Sequence, residues 1–403
     1  MDVPRKLKPF PLPGGAEDGG AIVAESILIL GGGIGGVVAA NALRSRLSRD
    51  HRIVVVDREP TFALAASFLW VMTGDRKPAQ VSRPLERLQR KGIDVVRGQV
   101  ERIEPEQRQV LVDGQSLRGD RLIVALGAEF ALGAVPGLSD AGHTFCTLDG
   151  ATRLRAALQD FRAGRVVVLT AAPAYKCPAA PYEAAMLLDG DFRRRGIRGA
   201  VELSVYSAEP GPMGVAGPEV SAAVRGMVEQ KGIAYHPDHQ ITRVQGRRIE
   251  FTNGASAEFD LLVYVPPIRP PRALAGCGLV DESGWVRVDR QTMETRFPGV
   301  YALGDVTMIP LSMGKPLPRA GVFAHNQAEV IARNIARELG GKGHEARFEG
   351  DGACFIETGG GKAGYGAGNF YAEPRPAVKV RRPSRLWHAG KVLLEKQILW
   401  QWL

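Results

Sequence analysis

Ser26 to Leu30 (SILIL) is a short unbroken apolar run, and Arg52 to Asp57 (RIVVVD) is a second one that ends on an acid. Runs of this length without polar alternation predict strands buried on both faces, as parallel sheets require. Between them Gly31-Gly32-Gly33-Ile34-Gly35-Gly36 leads into VVAANALRSRL, which predicts a helix. Further strands are predicted over Leu122 to Gly127 (LIVALG), Arg165 to Thr170 (RVVVLT), Val201 to Tyr206, near Arg247 to Thr252, over Leu261 to Val265, and over Phe297 to Asp305 (FPGVYALGD). Helices are predicted from Pro181 to Leu188, from Pro218 to Lys231 and onward from near Gly321. Strands alternating with helices predict an α/β fold of two Rossmann-like, three-layer domains. The longest apolar stretch, Ile27 to Ala40, has 14 residues and is broken by glycines, so no transmembrane helix is expected.

The first glycine turn carries the first chemistry. Gly31 permits the tight turn, Gly33 lets the backbone approach a pyrophosphate at the helix N-terminus, and Gly36 lets helix and strand pack closely. Asp57 follows Gly36 by 21 positions, where a carboxylate accepts hydrogen bonds from an adenosine ribose. Ile34, Gly35 and Arg58 complete the dinucleotide-binding candidates of this unit.

Three later segments resemble signatures of flavoproteins with two dinucleotide-binding domains. These are the end of LIVALG at Ala125 and Gly127, the late Gly304-Asp305, and the helix that begins at Gly321. The resemblance implies FAD, with Gly304-Asp305 near its ribityl-phosphate and the positive end of the Gly321 helix near the flavin pyrimidine. It also implies a discontinuous FAD-binding domain (residues 26–148 and 286–345), a second Rossmann-like domain (149–285), a flexible tail (1–25) and a C-terminal segment (346–403). The strand RVVVLT, where the second domain of such proteins takes NAD(P)H, is followed by AAPAYKCP, which has no glycine. A turn without glycine neither reaches positive φ cheaply nor admits a pyrophosphate, so nicotinamide binding there is not expected.

That turn carries Cys177 within Tyr175-Lys176-Cys177-Pro178-Ala179-Ala180-Pro181-Tyr182-Glu183. The segment resembles the cysteine segment of the sulfide:quinone oxidoreductases and of the flavocytochrome c sulfide dehydrogenase flavoprotein, in which a glutamate follows six positions later, as Glu183 does. Cys354, in GDGACFIETGGG, resembles the partner cysteine of these families, and Cys146, in HTFCTLDGA, stands where many of them have a third. Cys277 matches neither. The resemblance implies that hydrosulfide opens a Cys177/Cys354 sulfur bridge, leaves a persulfide on one cysteine, and passes electrons through FAD to a quinone. Two departures concern protons: Gly150 stands where some relatives have a histidine four positions after the third cysteine, and YSAEPGPMGVAG has no histidine where others place one. Glu183 is then the candidate acid/base, against the plainer reading of a surface helix carboxylate. Pro318-Arg319-Ala320-Gly321 carries arginine where many relatives have lysine.

Composition narrows the partners. With 45% hydrophobic and 24% charged residues over 403 positions, the chain is globular and long enough for two to three domains. No Cys/His spacing suggests zinc, and no metal site is expected. The net charge of +9 is concentrated: Pro374 to Leu403 holds seven Lys/Arg against Glu395 alone, with Trp387, Trp400 and Trp402. Tryptophan and leucine flanked by cations suit an anionic membrane surface, although the apolar positions fall almost all round a helical wheel, so burial in a core or dimer contact stays open. With no signal peptide evident, the expected location is peripheral on the cell membrane, with hydrosulfide as donor, membrane quinone as acceptor and no nucleic acid; homo-oligomerisation is left open. The alternatives are a type-two NADH:quinone dehydrogenase, a soluble sulfide dehydrogenase that reduces a cytochrome, and a flavin-binding non-catalytic protein whose basic end binds lipid or nucleic acid.

Overall fold

The structure, a computed structural model, describes residues 24–403. Of the tail expected over 1–25, all but the last two residues lie outside them. In chain order the main elements are β1 (Ser26–Leu30), α1 (Ile34–Arg44), β2 (Arg52–Asp57), α2 (Phe68–Thr73), β3 (Asp94–Arg97), β4 (Arg121–Val124), α3 (Leu148–Asp160), β5 (Gly164–Thr170), α4 (Ala180–Arg194), β6 (Val201–Tyr206), α5 (Pro218–Glu229), β7 (Ala234–His236), β8 (Leu261–Val265), β9 (Val300–Ala302), α6 (Gly321–Glu338), β10 (Asp351–Gly359), β11 (Lys362–Asn369), β12 (Ala377–Ser384) and α7 (Arg385–Gln401).

Five strands form one parallel sheet in the order β9-β4-β1-β2-β3. Strand order reverses on the two sides of β1, which places a ligand crevice at its carboxyl end. Every residue from Ile27 to Leu30 is fully buried, which explains the run without alternation. A second parallel sheet has the order β7-β6-β5-β8. The fold is mixed α/β with parallel sheets.

Three differences from the sequence pattern have local causes. The expected strand over Phe297 to Asp305 is cut to Val300–Ala302, because Gly299 and Gly304 both take positive φ (+73°). The helix expected over Pro181 to Leu188 runs on to Arg194. Its buried Asp189 and Asp191 break the apolar pattern but are matched by Arg193, Arg198, Arg194 and Arg195.

The third difference is the C-terminal segment, which folds into an antiparallel sheet β10-β11-β12 followed by α7. Ser384 caps α7 by accepting from the Trp387 N–H at 3.3 Å. Lys391, Glu395 and Leu399, one helical repeat apart, face inward, while Leu386, Leu393 and Trp400 are 73%, 67% and 79% exposed. The even apolar wheel conceals an inverted helix, with ionic residues buried and leucines outside. Lys391 is therefore corrected from a lipid-facing cation to an internal one. No helix among the described residues is long and apolar enough to cross a membrane.

Candidate active site

Gly31 turns the chain at the end of β1 with φ +107°, and a Cβ there would lie 2.4 Å from the Ala125 carbonyl oxygen. A Cβ on Gly36 would lie 1.8 Å from the Gly31 oxygen, so helix and turn meet backbone to backbone. At Gly33, the N-cap of α1, a Cβ would meet nothing within 4 Å. That glycine borders open space, where the first N–H groups of α1 lack helical partners. Asp57 accepts from the Gly32 N–H at 2.5 Å and the Glu59 N–H at 2.7 Å, which fixes its carboxylate beside the turn. Arg58 is exposed and pairs with Glu59 at 3.5 Å.

A second helix end converges on the same crevice. A Cβ on Gly35 would strike Leu303 Cδ1 at 2.2 Å, and one on Gly321 would strike Ile34 Cδ1 at 2.6 Å. The starts of α1 and α6 thus meet beside Gly304 and Asp305. The Gly304 N–H donates to Gln327 of α6 at 2.7 Å. Arg319 lies over the Trp285 ring at 3.9 Å and donates from Nε to the Asp305 carbonyl at 3.0 Å. Its Nη2 is buried without a protein partner, beside a hollow lined by Gly304, Asp305, Thr307 and Gln327. Two helix N-termini, an open glycine and an unsatisfied buried guanidinium fit FAD, an anionic dinucleotide whose flavin gains negative charge on reduction. Ala125 and Gly127 (φ +67°) follow the end of β4, next to β1 in the sheet.

The turn after β5 is tied to this crevice. Cys177 holds a left-handed backbone, φ +56°, an uncommon state for a residue with a Cβ. Its N–H donates to the Arg319 carbonyl at 2.8 Å, and its carbonyl accepts from the Ala180 N–H at 2.9 Å. Lys176 Nζ lies 3.8 Å from Asp305. At the end of β6, Tyr206 stacks on His236 and Phe251 at 4.3 and 5.1 Å.

Cys177 and Cys354 line one cavity of about 480 Å³ together with Pro318, Ala320, Phe323 and Phe370. Both are free thiols. Burial, then the Glu183 charge, pushes Cys354 up to about 11, and Lys391 opposes the rise. Cys177 is raised well above the thiol range by burial, Glu183 and Cys354, against Lys391 and the Ala180 N–H.

The other two cysteines do not line this cavity. Cys146 lies ahead of α3, where its N–H donates to Thr144 Oγ1 at 3.1 Å and burial pushes its thiol up to about 11, against Thr144 and Lys176. Cys277 is buried with Leu274 and Leu279 in the core under the first sheet.

Glu183, on the first turn of α4, is 3% exposed and so is no surface carboxylate. Its Oε1 accepts from Lys391 Nζ at 2.9 Å and from the Glu357 N–H at 2.8 Å. Burial depresses Lys391, but Glu183 and Glu357 outweigh it and leave the ammonium raised. Glu357 contacts His388 Nδ1 with both oxygens at 3.1 Å, and Trp70 lies under both Lys391 and Arg76. Lys391, Glu357 and His388 are functional candidates that periodicity and motifs missed. Their signal was the pair Lys391 and Glu395 set inside a Leu- and Trp-rich helix.

Residues 25–328 match the pyridine nucleotide-disulphide oxidoreductase family. The chain is 26% identical over 399 residues to the sulfide-quinone reductase of Aquifex aeolicus (strain VF5), covering 94% of this chain and 91% of that protein. It is 26% identical over 350 residues to the mitochondrial sulfide:quinone oxidoreductase of Dictyostelium discoideum, covering 82% and 75%. Over 333 residues it is 25% identical to the demethylphylloquinone reductase NdbB of Synechocystis, covering 78% and 80%. The X-ray structure of the sulfide:quinone oxidoreductase from Aquifex aeolicus superposes with a TM-score of 0.85 at 24% identity, over 94% of this chain and 91% of that one, which shows a shared fold. With the glycine turn on β1 and two helix ends aimed at one crevice, the chain is an FAD-dependent oxidoreductase and belongs to the pyridine nucleotide-disulphide oxidoreductase family.

Proposed function

We propose that this protein oxidises hydrosulfide through Cys177 and Cys354 and passes two electrons by way of FAD to a membrane quinone. The observation that carries this reading is the shared cavity of the two cysteines, walled by the segment that enters α6. Hydrosulfide attacks one sulfur of the oxidised Cys177/Cys354 pair, which leaves a persulfide on that cysteine and frees the other as a thiolate. FAD, when bound, supplies the two-electron link between this sulfur chemistry and the quinone. The net change is HS⁻ + Q + H⁺ → S⁰ + QH₂. Apolar walls keep water from the persulfide, and Glu183, held against Lys391, is the acid/base group. Gly31, Gly33, Ile34, Gly35, Gly36, Asp57, Ala125, Gly127, Gly304, Asp305 and Gly321 hold the cofactor, and Arg58 and Cys146 stand at the margin of the assignment.

On the same reading, residues 26–148 with 286–345 form the FAD-binding unit and 149–285 a second unit without a nucleotide site. The exposed leucines and Trp400 of α7, with Arg381, Arg382, Arg385 and Lys396 outside, dock on an anionic membrane surface where quinone is dissolved. The relatives named as sulfide:quinone oxidoreductases support this assignment.

Anaerobic mixing of the purified FAD protein with sulfide should bleach the flavin, and added quinone should restore its colour. Bleaching by NADH and not by sulfide would overturn the proposal in favour of an NADH:quinone dehydrogenase. Bleaching by neither would favour a non-catalytic flavoprotein.

A further inference from the structure

Arg76 to Lys91 is a second basic stretch of the chain, with six Lys/Arg against Glu86 alone. Two of the six are engaged within the fold: Arg76 pairs with Glu395 at 2.8 Å, and Lys91 donates to Asn41 Oδ1 at 2.6 Å. Arg83 and Arg87 are not engaged in this way. The fold carries them to the end of α7, where they line a hollow of about 520 Å³ together with Thr61, Leu399, Trp400 and Leu403. A hollow of that size falls within the range of small-ligand sites. None of these residues belongs to the FAD crevice or to the cysteine cavity.

The two walls of the hollow differ in chemistry. On one wall, Arg83 Nη1 lies 2.7 Å from the Ser82 carbonyl oxygen, 3.2 Å from that of Ala79 and 3.4 Å from that of Gln80. Three carbonyls thus hold the guanidinium in place, while its Nε and Nη2 have no partner among the described residues. Arg87 makes no hydrogen bond or ion pair with any of them, and no acidic group stands within ion-pair distance of either arginine. Two uncompensated guanidinium groups on one hollow suit an anion with several oxygens, phosphate above all. The other wall is apolar. Leu399 and Leu403 are buried in the core beside α1, and the Trp400 ring stands exposed at the rim. Leu386, Leu393 and Trp400 recur every seven positions, so one exposed apolar stripe runs along α7 and ends at this rim. Free phosphate would use only the cationic wall. An amphiphile with phosphate at the arginines and acyl chains along the stripe meets both.

We infer that this hollow seats the phosphate headgroup of a single anionic glycerophospholipid, with Arg83 and Arg87 on the phosphate and Trp400 beside the acyl chains. The inference rests on the membrane-docking reading of α7 and makes part of a diffuse charge attraction a defined site. It also joins the two basic stretches of the chain, residues 76–91 and 374–403, at one point of the surface.

The test uses the full FAD-loaded protein as wild type, Arg83→Gln, Arg87→Gln and, as a charge-matched control on the docking face, Arg382→Gln with Lys396→Gln. Two probes are titrated calorimetrically: dihexanoyl phosphatidylglycerol, kept below its micelle concentration, and inorganic phosphate. Flotation on vesicles of phosphatidylglycerol and phosphatidylcholine is measured in parallel. The expected result is saturable binding of one short-chain lipid, weakened about tenfold or more in each arginine variant and unchanged in the control, with inorganic phosphate at least tenfold weaker than the lipid. The control should lose vesicle binding all the same, because it removes charge from the face and not from the hollow. Arg87 touches nothing in the fold, so Arg87→Gln keeps the test decisive should Arg83→Gln fail to fold. Equal lipid affinity in wild type and Arg87→Gln, or inorganic phosphate bound as tightly as the lipid, would overturn the lipid seat. Vesicle flotation by a wild type that does not bind the short-chain lipid would overturn the seat and leave membrane docking standing. A wild type that binds neither vesicles nor the short-chain lipid would overturn both.

Discussion

Cys177 and Cys354 are distinguished from Cys146 and Cys277 by position, since burial raises all four thiols. A raised value means that each stays protonated near neutrality and is a poor nucleophile until a base acts on it. The sign can be checked on Cys354 in a Cys177→Ser background, where half-maximal alkylation is expected near pH 11, well above an ordinary thiol. In the same proteins, Cys177→Ser and Cys354→Ser should each abolish sulfide-driven bleaching while FAD stays bound. Full bleaching in either variant would refute its assigned role. The motif around Cys177 made that residue and Glu183 legible in the sequence, because both lie on one turn and the helix that follows it. Glu357 and His388 were not legible, since their partners come from α4 and α7, brought together only by the third sheet.

At the level of elements, α1 shows how closely a glycine pattern can be read. Three glycines were expected to differ in role, and their surroundings differ accordingly: Gly31 and Gly36 touch backbone, while Gly33 borders open space. Gly36→Ala should therefore destabilise the apo-protein, because a Cβ 1.8 Å from the Gly31 oxygen forces helix and strand apart. Gly33→Val should cost the apo-protein only about 1 kcal/mol of stability, since valine is a poorer N-cap than glycine, while FAD is lost, as measured by thermal unfolding and flavin release. Equal FAD retention in Gly33→Val would remove this turn from the cofactor site. Periodicity located β1, β2 and β8 to the residue because each is buried on both faces, and β6 to the residue although only its alternate positions are buried. It failed on α7, where the inward stripe is Lys391, Glu395 and Leu399, so hydrophobicity gives no helical face and the packing surface is set by ion pairs.

Over the whole molecule, the +9 charge divides differently in space than along the chain. Lys391 is neutralised inside by Glu183, whereas Arg381, Arg382, Arg385 and Lys396 stay exposed around Leu386, Leu393 and Trp400. Arg83 and Arg87 border a hollow that Trp400 also lines, so cations flank that ring from a second part of the fold. Deleting α7 would not test membrane docking cleanly, because Leu399 and Leu403 fill the core beside α1 and Lys391 would leave Glu183 a buried unpaired charge, a loss of about 3–5 kcal/mol. Leu393→Glu with Trp400→Glu changes only the outer face. Each exposed apolar side chain contributes about 1.5–3 kcal/mol when buried in the interface, and each nearby cation about 1 kcal/mol on anionic lipid. The double variant should keep the wild-type melting temperature and lose roughly a hundredfold or more in affinity for phosphatidylserine vesicles by flotation. Wild-type binding should weaken as salt rises, since part of it is electrostatic. Unchanged flotation of the double variant would show that α7's outer leucines meet something other than a bilayer. The proposed link from sulfide to a lipid-dissolved quinone would then have to run through another face of the molecule.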